Sequence, residues 1–187
     1  YIYGSHMAAA KSTNLREWKG FVGGMSEINP IYGELYKIDE GPWSFTGCPD
    51  SVVYNDGLSL WAPDVKYSEK RGLYYMYFCT TSDYRTSTLC YATCKSPEGP
   101  FKWEGNLIYS GFSEDNMDKT NVLDVVDKKY ATDTYLQGGT YKNMEYPNAL
   151  DPTIFWDKDG KMWMTYGSWS GGIYILEIDE QTGKVIH

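Results

Sequence analysis

Short apolar runs separated by turn dipeptides govern this chain from end to end. Residues 73–79, 89–93, 162–168 and 172–178 each have the length and content of a β-strand, and Arg71-Gly72 and Asp159-Gly160 stand where tight hairpin turns are needed. The 3.6-residue period of an amphipathic helix is almost absent. The pattern predicts an all-β protein of short antiparallel strands.

The pattern also repeats. Lys11-Ser12 followed by Trp18-Lys19-Gly20 returns as Lys95-Ser96 followed by Trp103-Glu104-Gly105, at nearly the same spacing. Tyr1-Ile2-Tyr3-Gly4-Ser5 has the shape of Met164-Thr165-Tyr166-Gly167-Ser168, so we read Gly4-Ser5-His6-Met7 as native sequence and not as the scar of a cleaved purification tag. A third thread aligns Ala62-Pro63-Asp64-Val65-Lys66-Tyr67 with Leu150-Asp151-Pro152-Thr153-Ile154-Phe155, the proline lying on opposite sides of the aspartate. A period longer than one hairpin predicts a radial array of small sheets, a β-propeller, as one domain over residues 1–187. A sandwich has less reason to repeat these motifs at matching offsets. Two stretches interrupt the repeat. Residues 25–60 read as a long loop dense in turn signals, and 111–148 as a polar insertion; loops this long line a binding site or are partly disordered.

Chemistry concentrates at Asp151. The proline after it restricts its backbone to an extended or turn conformation and aims its side chain, at the mouth of the hairpin that turns at Asp159-Gly160. A turn-capping aspartate is the plain alternative.

Composition narrows the partners. A net charge of -8, with scattered Lys and Arg, leaves no basic stripe for nucleic acid and disfavours acidic polymers. With 18 Tyr and 7 Trp the chain is rich in flat apolar faces with polar edges, which suit neutral carbohydrate. No apolar run reaches the length of a membrane span, and no signal peptide is visible at the start. Cys48, Cys79, Cys90 and Cys94 lack zinc-site spacing and read as buried thiols, with a Cys79–Cys90 cross-strand disulfide as the alternative.

Several motifs match one family. Trp61-Ala62-Pro63-Asp64-Val65, Glu98-Gly99-Pro100-Phe101, Ile108-Tyr109-Ser110-Gly111-Phe112 and the run from Pro147 through Tyr166-Gly167-Ser168-Trp169-Ser170-Gly171-Gly172-Ile173 together resemble glycoside hydrolase family 43, most closely its larger endo-1,5-α-L-arabinanases. The resemblance implies a five-bladed β-propeller, of which this chain covers roughly the first to third blades, with the remaining blades on another chain or segment. It further implies a secreted glycosidase that hydrolyses arabinan or its oligosaccharides with inversion. In such enzymes one aspartate is the base, a second orients the acid and adjusts its pKa, and a glutamate is the acid. Asp151 matches the second. The base is expected about a dozen residues before Tyr1 by the repeat, and the acid beyond His187. The fragment alone is therefore expected to be inactive. Glu145 and Glu177 do not occupy the acid's position.

The resemblance also suggests substrate-binding residues. Trp61 takes the place of an aromatic wall, with a core tryptophan between blades as the other reading; Tyr84 stands as a second platform or a solvent-facing turn residue. Asn148, Ser168 and Trp169 are expected to bond to and pack around the sugar. Asp64 reads as structural and His6 as a turn histidine. A calcium ion on the propeller axis is implied for the whole protein, with no ligand assignable within this chain. The alternatives are a non-catalytic carbohydrate-binding propeller, or an exo-acting arabinofuranosidase or xylosidase.

Overall fold

The computed structural model describes residues 1–6, 8–20, 31, 33–36, 41–47, 60–83 and 85–186. Among these residues, strands β1 (Ile2–Gly4), β2 (Ala8–Lys11) and β3 (Lys19–Gly20) form a first sheet. A second comprises β4 (Leu60–Ser68), β5 (Leu73–Thr81), β6 (Ser87–Cys94) and β7 (Lys102–Ser110). Helices α1 (Val122–Val125) and α2 (Lys128–Tyr135) follow, with a small hairpin of β8 (Leu136–Gln137) and β9 (Thr140–Tyr141). The third sheet contains β10 (Thr153–Trp156), β11 (Met162–Tyr166), β12 (Tyr174–Asp179) and β13 (Lys184–Val185). Every pairing is antiparallel and spatial order follows sequence order, which is the meander of a propeller blade.

Strand alternation sends the residues of β5 and β6 to two faces. Met76, Phe78, Cys90 and Ala92 pack on one side with Ile31, Leu35 and Trp43, so the described parts of the 25–60 segment contribute to the core. Tyr75, Tyr77, Cys79, Leu89 and Tyr91 pack on the other with Ile154, Met162, Met164 and Ile178 of the third sheet. Each fully buried apolar side chain contributes about 1.5–3 kcal/mol relative to exposure. The seam is also hydrogen-bonded. The hydroxyls of Tyr75, Tyr77 and Tyr91 donate to the carbonyls of Glu180, Gly183 and Thr182 at 2.8, 2.7 and 2.9 Å. Ser68 Oγ donates to Glu180 Oε1 at 2.5 Å.

The register explains the thiols. Phe78 faces Cys90 and Cys79 faces Leu89, so Cys79 and Cys90 lie in different apolar clusters and are free; Cys94 is free as well. Cys48 lies outside the described residues.

The 111–148 insertion is more ordered than a polar loop. It folds locally because the Asp127 side chain caps α2 by accepting from Tyr130 N at 2.8 Å, Lys129 pairs with Asp133 one turn on, and Ala131 is fully buried. Helices of four and eight residues are too short to show a 3.6-residue period in the sequence.

Candidate functional site

Pairing places the start of β4, the β5–β6 loop, the end of β7 and the start of β10 at one end of the sheets. Ser110 Oγ closes this end by accepting from Ala149 N at 2.9 Å and donating to Arg85 O at 2.7 Å. Asp151 sits here, at the open mouth of the β10–β11 hairpin, where Gly167 N donates to Leu150 O at 2.9 Å.

Its backbone is not extended. Asp151 has φ of 52°, in the left-handed region that a residue before proline seldom adopts. Ala62, before Pro63, has φ of 44°. The two X-Pro steps are thus the equivalent stations of the repeat, and Asp64, aligned by sequence with the aspartate of the third sheet, is displaced from that station. Asp64 lies within β4, where Oδ2 accepts from Ile154 N at 2.8 Å and Oδ1 is 3.3 Å from Lys66 Nζ. Its structural reading fits these partners. Among the described residues other than glycine, the left-handed station before a proline occurs twice and is filled with a carboxylate once. Asp151 is solvent-exposed, and among the described residues no hydrogen bond or ion pair holds its side chain. Such backbone strain collects where the surroundings over-determine a conformation, functional sites among them.

Cys79 lies beneath it. Its thiol donates to Trp61 O at 3.6 Å and receives the backbone N–H of Asp151, and burial pushes its pKa up to about 12. Trp61 and Asp151 therefore meet around one sulfur. Trp61 is half-buried, packs against the seam cluster, and meets the His6 ring edge-on at 4.5 Å. Ser5 Oγ accepts from Ala62 N at 3.2 Å, and His6 N donates to Leu60 O at 2.7 Å. Residues 4–6 are therefore integral to the fold. His6 and Trp169 share positive φ, 58° and 68°, which extends the match of their preceding Tyr-Gly-Ser segments. Burial lowers the His6 pKa.

Asn148 is fully buried and donates through Nδ2 to Ser168 O at 3.3 Å and Ser170 Oγ at 3.5 Å, holding the 167–171 loop. Trp61 Nε1, Asn148 Oδ1 and Ser168 Oγ are buried without hydrogen-bond partners among the described residues. Buried polar groups are normally bonded, so these three are exceptions among the described residues. Trp169, 85 % exposed, projects into solvent. Tyr84 lies outside the described residues. The structure thus gathers Trp61, Asn148, Asp151 and Ser168 at one end of the sheets. Sequence reasoning missed the supporting roles of Ser5, His6 and Cys79, which show only once strands are paired.

Of the sequence's two spare acids, Glu177 pairs with Lys161 at 3.0 Å on β12 and Glu145 is exposed in the insertion. Among the described residues no group of three or more His, Cys, Asp and Glu side chains converges as a metal site. No described helix is long and apolar enough to cross a membrane.

The meander sheets are blades of a β-propeller, the third of them carrying an exposed carboxylate on the approach to its first strand. No family model matches the chain. It is 33 % identical over 184 residues to the extracellular endo-α-(1→5)-L-arabinanase 2 of Bacillus subtilis (strain 168), covering 98 % of this chain and 33 % of that protein. It is 34 % identical over 185 residues to the extracellular endo-α-(1→5)-L-arabinanase of Thermotoga petrophila, covering 98 % of this chain and 34 % of that one. A solved glycoside hydrolase family 43 protein from Bacillus licheniformis superposes with a TM-score of 0.74 at 34 % identity, covering 98 % of this chain and 35 % of the other. By sequence and fold the chain belongs to glycoside hydrolase family 43, and is most like its larger endo-1,5-α-L-arabinanases. It spans about a third of the length of the curated relatives it matches.

Proposed function

We propose that these residues form part of the substrate groove of a secreted, endo-acting, inverting arabinanase. The observation that carries the reading is Asp151: an exposed carboxylate without a partner among the described residues, on a strained backbone, at a station that the second sheet fills with alanine. Its role is to orient the general acid and keep it protonated. A carboxylate beside the acid disfavours ionisation of that acid, so the proton is retained near neutral pH. Inversion needs base and acid about 6.5–9.5 Å apart, with water attacking from the face opposite the leaving group. The whole protein is proposed to supply both from segments outside residues 1–187.

Trp61 offers a ring face to a sugar, Asn148 and Ser168 hold the groove wall behind it, and Trp169 stands at the solvent side. Tyr84 is retained as a second aromatic platform. The substrate is linear arabinan or its oligosaccharides, and the extracellular names of the relatives support secretion. A calcium ion near the axis of the whole protein is a further proposal, and no residue of this chain is assigned to it.

The experiment is release of reducing ends from linear arabinan by the full-length protein and its Asp151→Asn variant. A drop in kcat/KM of about 10²-fold or more is expected. Unchanged activity removes Asp151 from the mechanism.

A further inference from the structure

A second concave feature opens beside the end of the sheets that carries Asp151, with Pro147 and Tyr166 of its lining directly preceding Asn148 and Gly167. A cavity of about 400 Å³ opens between the end of β7, α1, and the facing ends of β11 and β12. Its volume falls in the range of about 300–1,000 Å³ common to small-molecule sites. β7 and β12 are the fourth and third strands of their sheets, whereas Trp61 and Asp151 belong to the first strands, β4 and β10, and their approaches.

The lining is unusual. Six tyrosines and no charged side chain face the cavity among the described residues. Tyr135 and Tyr146 meet edge to face at 4.9 Å, and the rings of Tyr166 and Tyr174 lie 6.0 Å apart. Tyr141 and Tyr174 direct their hydroxyls to the carbonyls of Pro147 and Glu145. The hydroxyls of Tyr135, Tyr146 and Tyr166 have no hydrogen-bond partner among the described residues. An ion would enter without a counter-charge. A purely apolar guest would strip water from three hydroxyls and return no hydrogen bond, at a cost for each. A neutral polyol meets both demands, since its C–H faces pack on aromatic rings while its hydroxyls exchange hydrogen bonds with tyrosine.

We propose that this tyrosine-lined cavity binds one sugar unit of a neutral oligosaccharide, as a carbohydrate site whose lining shares none of Trp61, Asn148, Asp151 and Ser168 with the groove. The choice of an arabinose oligomer as probe rests on the function proposed above.

The test is calorimetric titration of the 187-residue chain with linear arabinohexaose. Three variants are compared with the unaltered chain: Val125→Trp, the double variant Tyr135→Phe/Tyr146→Phe, and Trp61→Ala. Val125 is 64 % exposed on α1 at the cavity wall, so a tryptophan there obstructs the cavity without disturbing the core. Removing the two hydroxyls keeps both rings and tests bonding alone. Each of these two changes is expected to weaken cavity binding by about fivefold or more, while Trp61→Ala leaves it intact. If binding survives both cavity changes and is lost with Trp61→Ala, the cavity proposal is overturned and the groove reading stands. If only the cavity variants lose binding, the cavity proposal stands, and the groove reading is decided separately by the Asp151→Asn activity assay on the full-length protein. Absence of binding to the unaltered chain at millimolar oligosaccharide overturns the cavity proposal. Should Val125→Trp misfold by circular dichroism, the double phenylalanine variant decides.

Discussion

Asp64 accepts a hydrogen bond from the backbone N–H of Ile154 at 2.8 Å, across the boundary between the second and third sheets. Ile154 is fully buried, so its N–H has no recourse to water once the carboxylate is removed. Asp64→Ala is expected to lower the unfolding free energy by about 1–3 kcal/mol. Asp64→Asn retains an acceptor oxygen and should cost less. Urea denaturation of the three proteins, compared at constant m-value, measures the difference.

Two glycines in turns separate conformational strain from crowding. Gly160 and Gly183 have φ of 77° and 74°, but a Cβ on Gly160 meets nothing within 4 Å, whereas one on Gly183 falls 2.5 Å from a Tyr91 ring carbon. Gly160→Ala should cost about 1–2 kcal/mol from backbone conformation alone. Gly183→Ala should cost clearly more, because the seam rings must also move. Equal midpoint shifts in thermal melts of the two variants would contradict this account.

The seam also sets an alkaline limit. Burial raises Cys79 from 9.0 to about 12 and Tyr166 from 10.0 to about 12, and it raises Tyr75, Tyr77 and Tyr91 as well. Their neutral forms are favoured in the folded chain. Above pH 9 for the thiol and above pH 10 for the phenols, the unfolded chain releases protons that the folded chain still holds. Unfolded chains then bind fewer protons, and stability falls as pH rises. The contribution is fully present below pH 9 and is lost progressively toward pH 12. Melting temperatures recorded from pH 8 to 11.5 should decline above 9, and Cys79→Ala should delay the onset.

The role proposed for Asp151 predicts a mark on the pH profile of the full-length protein. The general acid must be protonated, so its pKa sets the alkaline limb of kcat/KM. Removing a neighbouring negative charge lowers that pKa. Residual activity of Asp151→Asn is therefore expected to show an alkaline limb at lower pH than the unaltered enzyme. A purely structural role would reduce activity with the limb in place.

Much of the architecture was legible because hairpin chemistry is local. Arg71-Gly72 and Asp159-Gly160 mark the turns that join β4 to β5 and β10 to β11, and the Lys-Ser and Trp-x-Gly repeats mark the step from third strand to fourth or its counterpart. Asp151 stood out because a carboxylate before proline has few places to point. The offset of Asp64 by its neighbouring proline was misleading, since only the φ values of Ala62 and Asp151 show which residues share a station. The two helices of the insertion were hidden by their brevity. The tyrosine-lined cavity was illegible because its walls come from four separate stretches that only the folded seam brings together.

The three tyrosines at the seam bind main-chain carbonyls at Glu180, Thr182 and Gly183, not side chains. A carbonyl is present whatever residue occupies the position, so this joint recognises the path of a turn. This part of the attachment tolerates other side chains on the turn, provided the turn keeps its course and Gly183 its missing side chain, whereas the Asp64–Ile154 and Ser68–Glu180 bonds still require particular residues. For protein engineering, the 179–183 turn marks a place where blades from different relatives should be exchangeable.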